Sequence, residues 1–457
     1  MKSMAIRAIA LAMALALQGL PAGATSLDET VRRAVASYPS IPESAASRRS
    51  IEADFDGANA ALAPRADLEA YAGPQMFDRP ESLSNDLNQK WRFHRQAGLT
   101  VRHTLFDAWA RENEIYRQGM RTNSSAFRVL ERTGQVAIEA VEAHIDVVRH
   151  SRVLALAEDN IAAHQRILTD IQARFSGGGS GAGETEQAKE RLAAAHAIRG
   201  EILRSVGAAR ARYKRLTGIE PKRLAGPRSA RLMPKSRQNA LSTAYAHHPS
   251  LIAAGFDIKG VDAEVEQSKA RAYPQIGVEG KASVGQELGG VKSWNNEASA
   301  RVTMSWTIFD GGVNDARRRA SVEKRTETEL RRDRMMREIA ETVEIAWSDI
   351  GATSQRLDAL RRQTAASERV VQVYRDEFNG GRRTLIDVLD AQNSLFNTRV
   401  AAAGAEAITA YTRFKLVASM GRILNEFGVS APRESLPLPS GAIGDIRRLG
   451  VPLEPIR

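Results

Sequence analysis

The feature that most constrains this chain is that its sequence is written twice. Pro39-Ser40 recurs as Pro249-Ser250 and Ala63-Pro64 as Tyr273-Pro274, both pairs 210 positions apart. Leu105-Phe106-Asp107 recurs as Ile308-Phe309-Asp310, and Phe175 in a Gly-rich turn recurs as Phe378 in another, now 203 positions apart. The offset changes by seven between residues 64 and 106, and a length change of that kind belongs in a loop. Each half must therefore fold by the same rules. The pattern divides the chain into a first repeat over residues 25–225 and a second over 226–428, each running helix, two strands, long helix, turn, helix.

The strands are read from alternation with a period of two. Ala298, Ala300, Val302, Met304, Trp306 and Ile308 share one face, against Glu297, Ser299, Arg301, Thr303, Ser305 and Thr307 on the other. The hairpin partner alternates Ile276, Val278, Ala282 and Val284 with Glu279, Lys281 and Ser283. In the first repeat Leu99, Val101, His103 and Leu105 oppose Thr100, Arg102 and Thr104, beside a weaker strand near Asp67 to Ala72. After each hairpin a proline-free run, Asp107 to Phe175 and Asp310 to Phe378, predicts a single helix. At about 1.5 Å per residue each would reach on the order of 100 Å, far beyond the need of a globular domain. Return helices are predicted from Glu184 to Thr217 and from Leu385 to Gly421, with Gly218 and Gly421 at their ends. From Val429 to residue 457, Pro432, Pro437, Pro439, Pro452 and Pro455 predict a disordered tail.

Residues 1–24 have the three-part layout of a secretory signal: Lys2 and Arg7, an apolar stretch from Ala8 to Leu17, and Ala22-Gly23-Ala24. No later segment is apolar enough for a transmembrane helix. The chain has no cysteine, so an exported protein of 457 residues must hold together without disulfides. A net charge of +11 raises the possibility of nucleic acid. However, Arg317-Arg318-Arg319 and Arg331-Arg332 are interleaved with Glu323, Glu327, Glu329 and Glu338 at helical spacing, which reads as a solvated helix face, and an export signal removes most such partners. The glycines after Phe175 follow a helix and lack the Lys-Ser/Thr ending of a phosphate loop. His144, His247 and His248 show no metal-ligand spacing, and no Ser/His/Asp arrangement stands out, so no cofactor, metal or enzymatic activity is expected.

Four amphipathic strands cannot close a membrane barrel, because the smallest closures need about eight and an open edge in lipid leaves backbone groups unpaired. Copies must combine, and three chains would supply twelve strands around a usable lumen. The competing reading is a secreted or periplasmic coiled-coil protein, structural or adhesive and without a pore, which has no use for strand pairs at matching points of the repeat.

The stretch Phe378-Asn379-Gly380-Gly381-Arg382-Arg383-Thr384-Leu385-Ile386-Asp387-Val388-Leu389-Asp390-Ala391-Gln392 and the strand-to-helix signature Trp306-Thr307-Ile308-Phe309-Asp310-Gly311-Gly312 resemble those of the TolC family of outer-membrane efflux and type I secretion proteins. The resemblance covers about Ser26 to Gly428. It implies an α+β membrane protein of a Gram-negative cell: a homotrimer with a twelve-stranded barrel in outer-membrane lipid, continued by a periplasmic α-helical barrel. It also implies an exit channel recruited by a periplasmic adaptor, with an inner-membrane ABC transporter or proton-driven pump. Asp387 and Asp390 would lie at the pore constriction. Their spacing of three places them on one helix face, where Thr384 and Asp387 also form an N-terminal capping pattern, and the two roles can coexist. Arg383 and Phe378 match positions where the family has an arginine and usually a tyrosine that latch the tip, so the arginine carries over and the phenol does not. Glu184 stands where the first repeat of the family has an aspartate, after a longer and more flexible Gly-rich turn.

Overall fold

A computed structural model describes residues 24–76, 91–177, 181–286, 293–439 and 441–449. Residues 1–23 of the leader, 77–90 in the segment where the repeat offset changes, 178–180 of the first Gly-rich turn and 450–457 of the tail lie outside the described residues. The elements are α1 (Leu27–Ser37), α2 (Ser40–Ala60), β1 (Arg65–Gln75), β2 (Arg92–Phe106), α3 (Ala110–Ser176), α4 (Ala182–Thr217), α5 (Arg237–His247), α6 (Pro249–Ala270), β3 (Gln275–Gln286), β4 (Trp294–Ser305), α7 (Val313–Asn379), α8 (Leu385–Ser419) and the short α9 (Ile423–Phe427). The order helix, helix, strand, strand, long helix, return helix therefore occurs twice. Local chemistry repeats with it. Ser26 accepts from Glu29 N–H at the start of α1, and Ser236, 210 positions on, accepts from Asn239 N–H at the start of α5. α4 stops at Gly218 with φ 74°, and Gly421 follows α8 with φ 72°. A Cβ at Gly421 would lie 2.7 Å from the His247 carbonyl oxygen, so this position is closed to any side chain.

The described residues form two units. One holds residues 24–43, 130–248 and 337–431. In it α3 and α4 pack through Ala143, Val147, Ala209, Tyr213 and Leu216, and Ile167 and Ile171 of α3 meet Leu385, Val388 and Leu389 of α8 at the helical tip. Each buried Val, Leu or Ile among them contributes roughly 1.5–3 kcal/mol. α1 is held by Thr30, whose hydroxyl lies 2.8 Å from His144 Nδ1 and 3.2 Å from the Tyr213 hydroxyl. His144 Nε2 donates to the Ala225 carbonyl at 2.9 Å, which leaves Nδ1 as the acceptor. Burial holds this imidazole below its ordinary value. Arg228 joins Asp28 to the buried Glu426 and sits over the rings of Phe414 and Phe427.

The other unit holds residues 44–129, 249–336 and 432–449. Its sheet has the order β1-β2-β3-β4, antiparallel throughout, with a register shift between Thr104 and Phe106. Beside it Phe55, Ile115, Met120 and Ile443 form a core, with Phe127 stacked on Phe256. The charged face of α7 is laced with ion pairs, Lys324 to Glu264 at 2.8 Å and Arg325 to Glu329 at 3.0 Å, as its alternating charges predict. β4 ends at Ser305, so Trp306 leaves the strand and its Nε1 donates to the Ala272 carbonyl at 3.1 Å.

The expectation of a disordered tail is corrected as far as Leu449. The Asn113 side chain donates to Arg447 O and accepts from Arg447 N–H, both at 3.0 Å, and Asn123 accepts from Leu438 N–H at 2.7 Å. Ile443 covers Gly119, where an added Cβ would lie 2.7 Å away. A proline-rich segment needs no helix or strand of its own when side-chain amides of a neighbouring helix satisfy its backbone.

Candidate functional site

The sheet carries two chemically different faces. Across the register Leu68 meets Leu99, Leu99 meets Ala282, and Ala282 meets Ala298, and with them Val101, Val278, Val302 and Met304 make an apolar face. Val302 is 71% and Met304 67% exposed, so within one chain this apolar surface is uncovered. Phe93 and Trp294 stand exposed near one end of the face, and Phe106, Trp109, Trp306 and Phe309 at the other end of the strands. Strands of this length, tilted by about 45°, rise close to 28 Å along the membrane normal, which matches the roughly 25 Å apolar band of an outer-membrane barrel.

The opposite face is charged. Arg65 Nε donates to Asp67 at 2.8 Å, Asp67 receives Arg102 at 3.4 Å, and Arg102 Nε donates to Glu279 at 2.8 Å. Glu279 also receives Arg301 Nε at 2.9 Å. Five side chains from four strands thus form one transverse belt. Arg102, Glu279 and Arg301 were already on the polar faces read from sequence, but their contact requires the register, which alternation alone does not supply.

At the helical tip Thr384 caps α8. Its hydroxyl donates to Asp387 Oδ2 at 2.6 Å, and the same carboxylate accepts the Thr384 N–H at 3.3 Å. The Thr384 hydroxyl bond, helped by that N–H and by Arg383, holds the Asp387 carboxyl below the usual range despite some desolvation. Asp390, one turn on, receives Arg191 of α4 at 3.1 Å. Arg383 Nε donates to Glu377 at 3.0 Å, and its guanidinium lies 3.9 Å from the ring centre of Tyr374. Phe378 faces a different cation: Arg174 of α3 sits 4.8 Å from its ring centre and donates to Asn379 Oδ1 at 2.7 Å. Glu184 lies in the first turn of α4, its N–H bonded to Gly181 O at 3.2 Å. The structure thus brings Asp387, Asp390, Arg383 and Phe378 to one end of the helices. Arg191, Arg174 and Tyr374 were missed from sequence. Arg174 could have been found, because it directly precedes Phe175 as Asn379 directly follows Phe378.

Comparison with known proteins bears on this arrangement. The family described as outer membrane efflux protein matches residues 240–422. The outer membrane efflux protein BepC of Brucella suis is 25% identical over 403 residues, covering 88% of this chain and 87% of its own. The alkaline protease secretion protein AprF of Pseudomonas aeruginosa is 22% identical over 336 residues, covering 70% of this chain and 69% of its own. Among solved structures the CmeC outer membrane channel of Campylobacter jejuni superposes with a TM-score of 0.75 at 14% identity, over 87% of this chain and 86% of that one. Over residues 240–422 the chain matches the outer membrane efflux protein family, and its relatives and structural neighbours are efflux, secretion and channel proteins of that kind. These matches support an outer-membrane location with a periplasmic extension. Its fold is that of the family's channels, four strands per chain joined to long helices. By description these relatives and neighbours are efflux, secretion and channel proteins.

Proposed function

We propose that three copies of the chain close a twelve-stranded barrel and a helical tunnel, forming a passive exit duct for secreted protein or effluxed small molecules. One observation carries this reading: a four-stranded sheet with an apolar face, a charged face and two edges that no described strand pairs. Such a sheet is stable in lipid only when its edges pair, and its charged face then lines a wet lumen. In the proposed trimer Asp387 and Asp390 from three chains converge as rings of carboxylates that narrow the periplasmic end and attract cations. Arg383, Phe378 and Glu184 belong to the latch that holds this end shut. Energy comes from an inner-membrane ABC transporter or proton-driven pump, and a periplasmic adaptor links pump to duct. A groove of about 440 Å³ in the unit that carries the tip supports adaptor docking. It is lined by Arg149, Arg152, Arg361 and Arg413, with Glu406 as its acid. Docking that favours the open arrangement shifts the tip towards it.

Single-channel recording in planar bilayers tests the reading. Discrete conductance steps are expected, with block by multivalent cations from the periplasmic side that Asp387→Ala with Asp390→Ala relieves. Absence of conductance overturns the duct, and unchanged block in the double variant overturns the charged constriction.

A further inference from the structure

The charged belt does not end symmetrically. At the β4 edge Arg301 is 60% exposed at its side chain and, among the described residues, pairs with Glu279 alone. On β1 the same face carries Asp67, already shared by Arg65 and Arg102, and then Glu69 two residues on. Among the described residues Glu69 makes no ion pair, although it faces the belt. An unpaired carboxylate on one edge and a half-used guanidinium on the other are complementary, and only a second copy of this chain can bring them together.

Barrel geometry fixes which residues meet. Within the chain one perpendicular line joins Arg65, Arg102, Glu279 and Arg301. In a threefold barrel with strands tilted about 35–45° and spaced about 4.8 Å, crossing four strands displaces the register by roughly four to six residues along the strand. The displacement must be even to keep the faces matched. It must also run towards Gln75, since β1 begins at Arg65. A shift of four sets Glu69 of the next copy opposite Arg301, and a shift of six sets Tyr71 opposite with Glu69 on the reachable diagonal. A shift of zero would instead oppose Arg301 and Arg65, two like charges.

We propose that Arg301 of one copy pairs with Glu69 of the next across the β4–β1 joint, continuing the charged belt around the lumen and selecting the closure register. The pairing rests on the three-chain barrel proposed above, and the test separates the two. Because the chain contains no cysteine, an introduced pair reports one contact cleanly. Arg301→Cys combined with Glu69→Cys should cross-link copies under mild oxidation in intact outer membranes, several-fold more than Arg301→Cys combined with Arg65→Cys. A second readout uses charge: Glu69→Arg alone should lower the yield of heat-resistant trimer several-fold, and adding Arg301→Glu should restore it. Preferred cross-linking through residue 65, or a swap that fails to rescue trimers still formed by the unaltered chain, overturns the pairing and leaves the barrel standing. No cross-link from residue 301 to positions 65, 67, 69 or 71, with no trimer in the unaltered chain, removes the barrel and the pairing together.

Discussion

Replacing Arg191 by alanine should make the duct open more often, and the size of the effect follows from the tip geometry. Arg191 on α4 reaches Asp390 on α8 at 3.1 Å, with side chains 35% and 61% exposed. A pair so open to solvent contributes about 0.5 kcal/mol. In the proposed trimer, opening would part these helices in three chains at once, so the closed state loses about 1.5 kcal/mol, which is roughly tenfold in the ratio of open to closed dwell times. The interaction is ionic. At about 1 M salt the screening length falls to roughly 3 Å, and most of the difference from the unaltered protein should vanish. Arg174→Ala provides the contrast. It removes a hydrogen bond to the neutral Asn379 and a contact with the Phe378 ring, so its opening effect should persist in high salt. Dwell times in planar bilayers at low and high potassium chloride measure both. Equal dwell times for Arg191→Ala and the unaltered protein at low salt would refute the reasoning, as would an Arg191 effect that salt leaves intact.

Three further predictions concern the scaffold. Glu426 is fully buried at its side chain and accepts from Arg231 N–H at 3.0 Å, Leu232 N–H at 2.8 Å and the Arg228 guanidinium; Glu426→Ala should cost about 2–4 kcal/mol and Glu426→Gln about half of that in denaturant titrations. Burial lowers the proton affinity of His144, and likewise of His164 and His248, in the folded chain. The unfolded chain therefore takes up protons first as pH falls below the ordinary value of 6.5, so the melting temperature should drop progressively below that pH, and His144→Gln should flatten the slope. Gly312 has φ 90° with nothing within 4 Å of an added Cβ, so Gly312→Ala should cost about 1–2 kcal/mol from backbone strain alone, read by the same titrations.

That last position shows where sequence stops being informative. The strand-to-helix turn is made by Gly311 and Gly312 in the second repeat, with φ 67° and 90°, and by Ala108 and Trp109 in the first, with φ 52° and 60°. The duplication aligned these residues, but no local preference would place Ala and Trp in the left-handed region. The surrounding fold imposes it, with Ala108 packed beside Ala270 and Leu449. Long elements were legible because their signals extend over many residues: α3, α4, α7 and α8 begin and end within about three residues of the expected positions, in keeping with proline-free runs closed by glycine. The tail was misread because proline content argues only against helix and strand, and says nothing of Asn113 and Asn123 waiting on α3 to hold an extended chain. At the tip the Thr384–Asp387 cap was readable from spacing, whereas Arg191–Asp390 and Arg174–Asn379 join helices whose relative rotation no single-helix pattern encodes. The charged belt failed to emerge for a similar reason, since alternation tells which face a residue takes and not which neighbour it meets.

The central claim is that one chain owns a third of a membrane cylinder. Unheated electrophoresis of purified outer membranes tests it most directly. The account predicts a slow species of three times the chain mass that heating converts to monomer. Recovery of the chain only as a soluble periplasmic monomer, unchanged by heat, would contradict it.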